Sequence, residues 1–136
     1  MAETDMKNKV LLVDDDDQIL RSLRTYLELE SYEVETASNG VEALQKIKQY
    51  DPEIVVLDIM MPEMDGFEVM EKIKENPETE KLPVIMLTAK GQDVDVLKGY
   101  RMGAASYMTK PFNLNELVEN IEMVMNDWGK RQTQKA

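Results

Sequence analysis

The chain has 136 residues, of which 27 are acidic and 16 basic, so its formal net charge is -11. It contains no histidine and no cysteine, which excludes disulfides, thiolate zinc sites, thiol nucleophiles and every site that needs imidazole. The acid surplus argues against direct binding to nucleic acid or anionic lipid, and no apolar run is long enough to cross a bilayer. We therefore expect one cytoplasmic domain without membrane insertion.

Short apolar runs alternate with stretches of helical period along the chain. Val10–Val13, Ile54–Leu57 and Val84–Leu87 are apolar at consecutive positions, which suits strands buried on both faces of a parallel sheet. Tyr32–Ala37 alternates apolar and polar residues and Ser106–Thr109 is mixed, so these two runs suit the edges of the sheet.

Apolar stripes at helical spacing predict a helix after each strand. The second stripe consists of Val41, Leu44 and Ile47, and the fourth consists of Val94, Leu97 and Tyr100. Repeated strand–helix alternation predicts an α/β fold with right-handed crossovers. We expect a three-layer, flavodoxin-like, doubly wound sheet of five parallel strands in the order 2-1-3-4-5, with five helices. Residues 9–127 would form this domain, between a flexible N-terminus (1–8) and a polar C-terminal tail (128–136).

Polar residues follow four of the predicted strands. Asp14–Asp17 follow the first strand, Asp58 ends the third, Thr88 ends the fourth, and Lys110 follows the fifth. In an open α/β sheet the carboxyl ends of the strands form the binding edge, so the topology should bring these side chains together. Adjacent carboxylates repel each other, and an oxygen-preferring divalent cation such as Mg²⁺ relieves that repulsion.

The same residue types suit phosphoryl transfer. A carboxylate can attack phosphorus and form an acyl phosphate, and such transfer needs mainly positioning and charge neutralisation. Lys110 could place a positive charge on a phosphate oxygen, and Thr88 could donate its hydroxyl. Asp16 and Asp17 have an equally good reading as residues that cap and start a helix.

Four motifs in chain order carry a resemblance to a known family: VLLVDDD, VVLDIMMPEMDGFE, PVIMLTA and GAASYMTKPF. They begin or lie at the first, third, fourth and fifth predicted strands. Together they resemble the receiver domain of response regulators in two-component signalling, such as a chemotaxis regulator, over roughly residues 9–127. Each motif alone is weak, whereas all four in this order are specific.

The resemblance implies a role for each site residue. Asp58 would accept the phosphoryl group, and Mg²⁺, or Mn²⁺ in its place, would be the cofactor. The implied metal ligands are Asp14, Asp15, Asp58 and the backbone carbonyl of Met60. The implied phosphate-contacting and switch residues are Thr88, Lys110 and Tyr107, and Lys110–Pro111 would be a cis peptide. Gly66 is read from the sequence as a backbone device after Asp65.

The resemblance also implies partners. The chain would be a stand-alone receiver and not an enzyme, beyond its own phosphorylation and autodephosphorylation. It would take its phosphoryl group from a histidine kinase or histidine phosphotransfer protein. An unknown target would bind the face of the fourth helix, fifth strand and fifth helix. Charges typical of the family's DNA-binding dimers are mostly missing at Val96, Ala105, Ser106 and Asn120, so we expect a monomer or weak dimer.

Three alternatives stay open at this point. The chain could be a receiver cut from a larger regulator or hybrid kinase. It could be a Mg²⁺-dependent phosphohydrolase with an aspartyl intermediate, for which Asp14-x-Asp16 fits the nucleophile loop loosely, although the chain has no cap domain. The third alternative is an electron carrier that binds flavin mononucleotide, but four consecutive aspartates would repel its phosphate.

Overall fold

The computed structural model describes residues 8–89 and 93–135, with side chains over 8–89 and 95–127. Strands and helices alternate strictly along these residues, as the sequence predicts. The strands are β1 (Lys9–Val13), β2 (Glu33–Ala37), β3 (Ile54–Asp58), β4 (Val84–Ala89) and β5 (Ser106–Lys110). The helices are α1 (Asp17–Leu29), α2 (Gly40–Tyr50), α3 (Gly66–Glu75), α4 (Asp93–Arg101) and α5 (Leu114–Lys135).

The strands form one parallel sheet in the order β2-β1-β3-β4-β5, which confirms the predicted topology. Because successive side chains of a strand point to opposite faces, the central strands feed two separate apolar cores. Val10 and Leu12 pack under α1 and α5, whereas Leu11 and Val13 pack under α2 and α3. The sheet is therefore covered on both faces, which explains the unbroken apolar runs of β1, β3 and β4.

Two of the predicted helix stripes are only partly buried. In α2, Val41 is 55% exposed, whereas Leu44 and Ile47 pack in the core beside Ala43. In α4, Leu97 and Tyr100 are exposed and Gly99 is buried, and the side chain of Val94 lies outside the described residues. Small residues therefore share the buried faces of both helices, and the largest apolar side chains alone do not mark those faces.

Local capping signals mark two of the helix ends. Asn113 accepts a hydrogen bond from the Glu116 N–H at 2.8 Å and so caps α5. Gly103 follows α4 with a φ of +101°, which is the left-handed conformation that favours glycine at a helix end. The backbone of α5 continues to Lys135 through the segment predicted as a tail, whereas the predicted flexible N-terminus lies outside the described residues except for Asn8.

None of the helices within the described ranges combines the length and the hydrophobicity needed to cross a membrane.

Candidate functional site

Three carboxylates meet at the carboxyl ends of β1 and β3. Val13 of β1 pairs with Leu57 of β3, so the residues that follow them in the chain, Asp14 and Asp58, lie at the same edge of the sheet. One carboxylate oxygen from each of Asp14, Asp15 and Asp58 lies within 4.8 Å of the other two. Asp14 and Asp58 are only 2% and 4% exposed, whereas Asp15 is exposed.

Backbone hydrogen bonds fix the two buried carboxylates. The Asp14 carboxylate accepts the N–H of Asp16 at 3.0 Å, and Asp58 accepts the N–H of Met60 at 3.3 Å. The Asp16 side chain itself accepts the N–H groups at the start of α1 and caps that helix. Asp17 is the first helical residue. The structure therefore separates the aspartate run into a pair at the site and a pair that starts a helix.

Lys110 spans the two buried carboxylates from the end of β5. Its Nζ lies 2.7 Å from an oxygen of Asp14 and 3.4 Å from an oxygen of Asp58. Because Lys110 pairs with Ala89 in the sheet, the lysine lies at the carboxyl end of β4. The closer partner of the lysine is thus Asp14, and the sequence contained no signal for this preference.

Burial and charge shift the pKa values within this group. Burial raises the pKa of Asp58 to about 6, and the negative charge of Asp14 adds to the rise, while Lys110 and the Met60 N–H oppose it. Burial alone would lower the pKa of Lys110. The hydrogen bond to Asp14 and the negative charges of Asp58 and Asp14 outweigh that effect and raise it above the ordinary value. The lysine is therefore held in its charged form.

Thr88 and Tyr107 lie on the two neighbouring strands. Thr88 is buried at the end of β4, and its hydroxyl donates to the carbonyl of Ala89 at 3.4 Å. Tyr107 of β5 is 38% exposed, and its ring meets the ring of Tyr100 edge to face with centroids 5.4 Å apart. Both residues line a small cavity too narrow for a water molecule, together with Ile59 and Gly99. The ring of Tyr107 is thus partly exposed at the surface beside Tyr100.

Gly66, Met60 and Pro111 frame the site through the backbone. The Gly66 N–H donates to the carbonyl of Ile59 at 3.0 Å. A Cβ on Gly66 would lie 2.6 Å from the carbonyl oxygen of Asp58 and 2.7 Å from the Cα of Ile59, so only glycine lets α3 begin this close to β3. The Met60 side chain is 65% exposed, and the Lys110–Pro111 peptide is cis.

The carboxylate group suits a hard divalent cation. Asp14, Asp15 and Asp58 supply three formal negative charges, and Lys110 supplies one positive charge nearby. Oxygen donors with this charge excess are the donors that Mg²⁺ and Mn²⁺ prefer. A carboxylate set of this kind is compatible with Mg²⁺ binding, with Asp15 open to solvent and the other two buried.

Comparison with known proteins agrees with this geometry. The family model described as "Response regulator receiver domain" matches residues 10–122. The transcriptional regulatory protein SrrA of Staphylococcus aureus is 42% identical over 120 residues, which are 88% of this chain and 48% of that protein. The chain therefore spans about half the length of the curated relatives it matches.

Solved structures agree as well. A response regulator from Chloroflexus aurantiacus superposes with a TM-score of 0.83 at 35% identity, covering 88% of this chain and 98% of that one. The chemotaxis response regulator CheY4 of Vibrio cholerae superposes with a TM-score of 0.82 at 33% identity, covering 88% and 99%. Receiver domains are signalling domains rather than catalytic enzymes, and histidine kinases phosphorylate them. On the sequence match, the fold and the carboxylate edge together, this chain belongs to the response regulator receiver domains of two-component signalling.

Proposed function

We propose that Asp58 accepts a phosphoryl group from a phosphohistidine on a histidine kinase or histidine phosphotransfer protein. The observation that carries the proposal is the arrangement of Asp14, Asp15 and Asp58 within 4.8 Å, with Lys110 bonded to Asp14 and close to Asp58. Nucleophile, cation ligands and a fixed positive charge lie at one edge of the sheet. Phosphoryl transfer to a carboxylate needs these three elements.

The chemical step is a displacement at phosphorus. An ionised oxygen of Asp58 forms the new P–O bond, and the bond from phosphorus to the donor breaks with its electron pair leaving on the imidazole. With a pKa of about 6, Asp58 is mostly ionised at neutral pH and can act as the nucleophile. Asp14, Asp15, Asp58 and the Met60 carbonyl would hold Mg²⁺, which neutralises charge on the carboxylates and on the phosphoryl oxygens.

The phosphoryl group adds roughly 1.5 to 2 negative charges and three acceptor oxygens beside Lys110 and Thr88. In the proposed response Lys110 shifts from Asp14 toward the new charge, and Thr88 turns its hydroxyl from the Ala89 carbonyl to a phosphoryl oxygen. That movement opens the cavity behind Thr88 to the ring of Tyr107. The face formed by α4, β5 and α5 then changes its affinity for a target, as a shift between two populations.

Incubation with acetyl phosphate and Mg²⁺ tests the proposal. Intact-mass spectrometry should show one added phosphoryl group, transferred from acetyl phosphate with acetate as the leaving group. Hydroxylamine should remove this phosphoryl group. Asp58→Asn should abolish the adduct. Asp17→Asn removes an acid that starts α1 outside the carboxylate group, and it should leave the adduct unchanged.

An adduct that persists in Asp58→Asn, or its absence from the wild-type protein, would refute the assignment. A phosphohydrolase makes a different prediction, namely multiple turnovers of a phosphate ester such as p-nitrophenyl phosphate. A receiver should instead carry at most one phosphoryl group per chain, on Asp58.

A further inference from the structure

A groove between β5 and α5 combines apolar and acidic side chains on the proposed output face. Its walls include Tyr100, Tyr107, Glu116, Glu119, Asn120 and Met123. We refer to these residues as the β5–α5 groove. Tyr100 and Met123 are 48% and 51% exposed, so the groove presents aromatic and thioether surface to solvent. Exposed apolar surface of this kind, rimmed by polar groups, is typical of interaction sites.

The charge in the β5–α5 groove has a single sign. Glu116 and Glu119 lie three residues apart on α5, on one side of the helix, and both are exposed. Among the described residues that line the groove, none is basic. The groove therefore offers negative charge but no positive charge.

We infer that the β5–α5 groove binds a cationic amphipathic helix of a target protein. Lysine or arginine side chains of that helix would pair with Glu116 and Glu119, and its apolar face would pack on Tyr100, Tyr107 and Met123. This is the helix-in-groove mode of recognition, in which apolar anchors recur at helical spacing. The inference deepens the proposed function, because it names the chemistry of the partner that the output face selects.

A second copy of the chain is a poorer occupant on the same evidence. In a two-fold symmetric contact the same patch meets itself, so the glutamates of one copy would face those of the other. The net charge of -11 on each chain adds to that repulsion. The basic segment from Trp128 to Lys135, with Lys130 and Arg131, is the part of a second copy that could compete, and the test includes it.

Tyr107 connects the groove to the phosphorylation site, since it lines both the groove and the cavity behind Thr88. When its ring turns into that cavity, the groove gains room beside Met123 and Tyr100. We therefore expect phosphorylation to tighten the binding of the cationic helix. This regulatory part rests on the proposed function, whereas the charge preference of the groove does not.

Fluorescence anisotropy with a labelled synthetic helix tests the charge preference. The probe is a Leu/Lys amphipathic peptide of about 14 residues, roughly four turns, and the comparison peptide replaces every lysine with glutamate. The double variant Glu116→Gln/Glu119→Gln should weaken binding of the lysine peptide at least about fivefold. The glutamate peptide should not bind.

The matched control removes the same charge elsewhere. Glu71 and Glu75 are exposed on α3, outside the groove, and Glu71→Gln/Glu75→Gln should change the affinity less than about twofold. Equal losses in the two double variants would show that the peptide responds only to net charge, and would overturn the inference. Met123→Gln should also weaken binding, while Leu29→Gln on exposed α1 surface should not.

Two further measurements separate the remaining outcomes. Sedimentation velocity should show a monomer. A dimer that Glu116→Gln/Glu119→Gln dissolves would make a second copy the occupant and overturn the inference. With acetyl phosphate and Mg²⁺, wild-type affinity for the lysine peptide should rise, and Asp58→Asn should not respond. If Glu116→Gln/Glu119→Gln weakens peptide binding but phosphorylation does not raise the wild-type affinity, the charge preference of the groove is supported and the proposed switch is refuted.

Discussion

Asp58 occupies a position that is unfavourable for a charged group. It is 4% exposed and shares the strand edge with Asp14, and both effects favour its neutral form. Lys110 and the Met60 N–H offset part of that cost. The fold therefore keeps the proposed nucleophile buried beside a second carboxylate, which costs free energy of unfolding. Such unfavourable placement of a titratable group is common at functional sites.

The pKa of Asp58 predicts a pH dependence of stability in the metal-free protein. The folded pKa is about 6 and the ordinary value is 3.8, so between these values the native state binds more protons than the unfolded state. The free energy of unfolding then falls as pH rises through this window. Asp58→Asn should become more stable than wild type by about 1–3 kcal/mol above pH 6.

Urea unfolding of both proteins in EDTA, between pH 4 and pH 7.5, measures this difference. The advantage of Asp58→Asn should grow from about pH 4 to about pH 6 and then level off. A constant difference across the series would mean that burial and Asp14 do not raise the pKa of Asp58. Asp17→Asn serves as the control and should show no such growth.

Lys110 makes a separate contribution to stability. In Lys110→Met the buried carboxylates of Asp14 and Asp58 lose their ammonium partner, and uncompensated buried charge is destabilising. We expect the free energy of unfolding to fall by about 1–3 kcal/mol in EDTA at pH 7.5. Lys72→Met, an exposed lysine of α3, should cost less than about 0.5 kcal/mol. Equal effects of the two variants would contradict the role of the ion pair.

At the scale of elements, two helices begin with glycine for different reasons. Gly66 opens α3 against the backbone of Asp58 and Ile59, which cannot move without displacing the site. Gly40 opens α2 beside the side chain of Met64, where a Cβ would lie 2.8 Å from the nearest Met64 atom. A methionine side chain can adjust its rotamer, whereas a strand backbone cannot.

Alanine at these two positions should therefore differ in cost. Gly66→Ala should lower the free energy of unfolding by about 2–4 kcal/mol and reduce labelling of Asp58 by acetyl phosphate, since the methyl group pushes on the strand that carries it. Gly40→Ala should stay within about 1 kcal/mol of wild type, because better helix propensity offsets the shift of Met64. Similar losses at both positions would contradict this explanation.

The elements also show how far sequence patterns reach. β1, β3 and β4 are predictable because strands covered on both faces must be apolar at every position. The stripes of α2 and α4 are incomplete because Gly40, Ala43 and Gly99 are also buried there, and small residues carry little hydrophobic signal. An apolar pattern on a helix can indicate an exposed surface that binds a partner as readily as a buried core. Leu97 and Tyr100 are exposed residues of such a pattern.

At the scale of the whole molecule, topology decides which distant residues meet. Asp14 and Lys110 are 96 positions apart, yet their charged atoms lie 2.7 Å apart. The strand order predicted from the βα pattern is sufficient to place them at one edge. It cannot indicate that Lys110 bonds to Asp14 more closely than to Asp58, because that choice depends on side-chain geometry after packing.

The charge of -11 predicts two separable effects of cations on stability. Any salt screens the repulsion among surface acids, and this effect should be similar for NaCl and MgCl₂ at equal ionic strength. Mg²⁺ bound to a carboxylate group that exists only in the folded state adds a further term. That term grows by about 1.4 kcal/mol for each tenfold rise in Mg²⁺ above the dissociation constant.

Thermal unfolding at constant ionic strength, with Na⁺ exchanged for Mg²⁺, isolates the second effect. The melting temperature of the wild-type protein should rise with Mg²⁺. Asp15→Asn removes the exposed carboxylate of the group while leaving Asp14, Asp58 and Lys110 in place, so it should lose most of that rise. Asp17→Asn removes the same charge from the start of α1 and should keep it. If the two variants respond equally, Mg²⁺ acts only through the diffuse surface charge, and the carboxylates do not form a cation site.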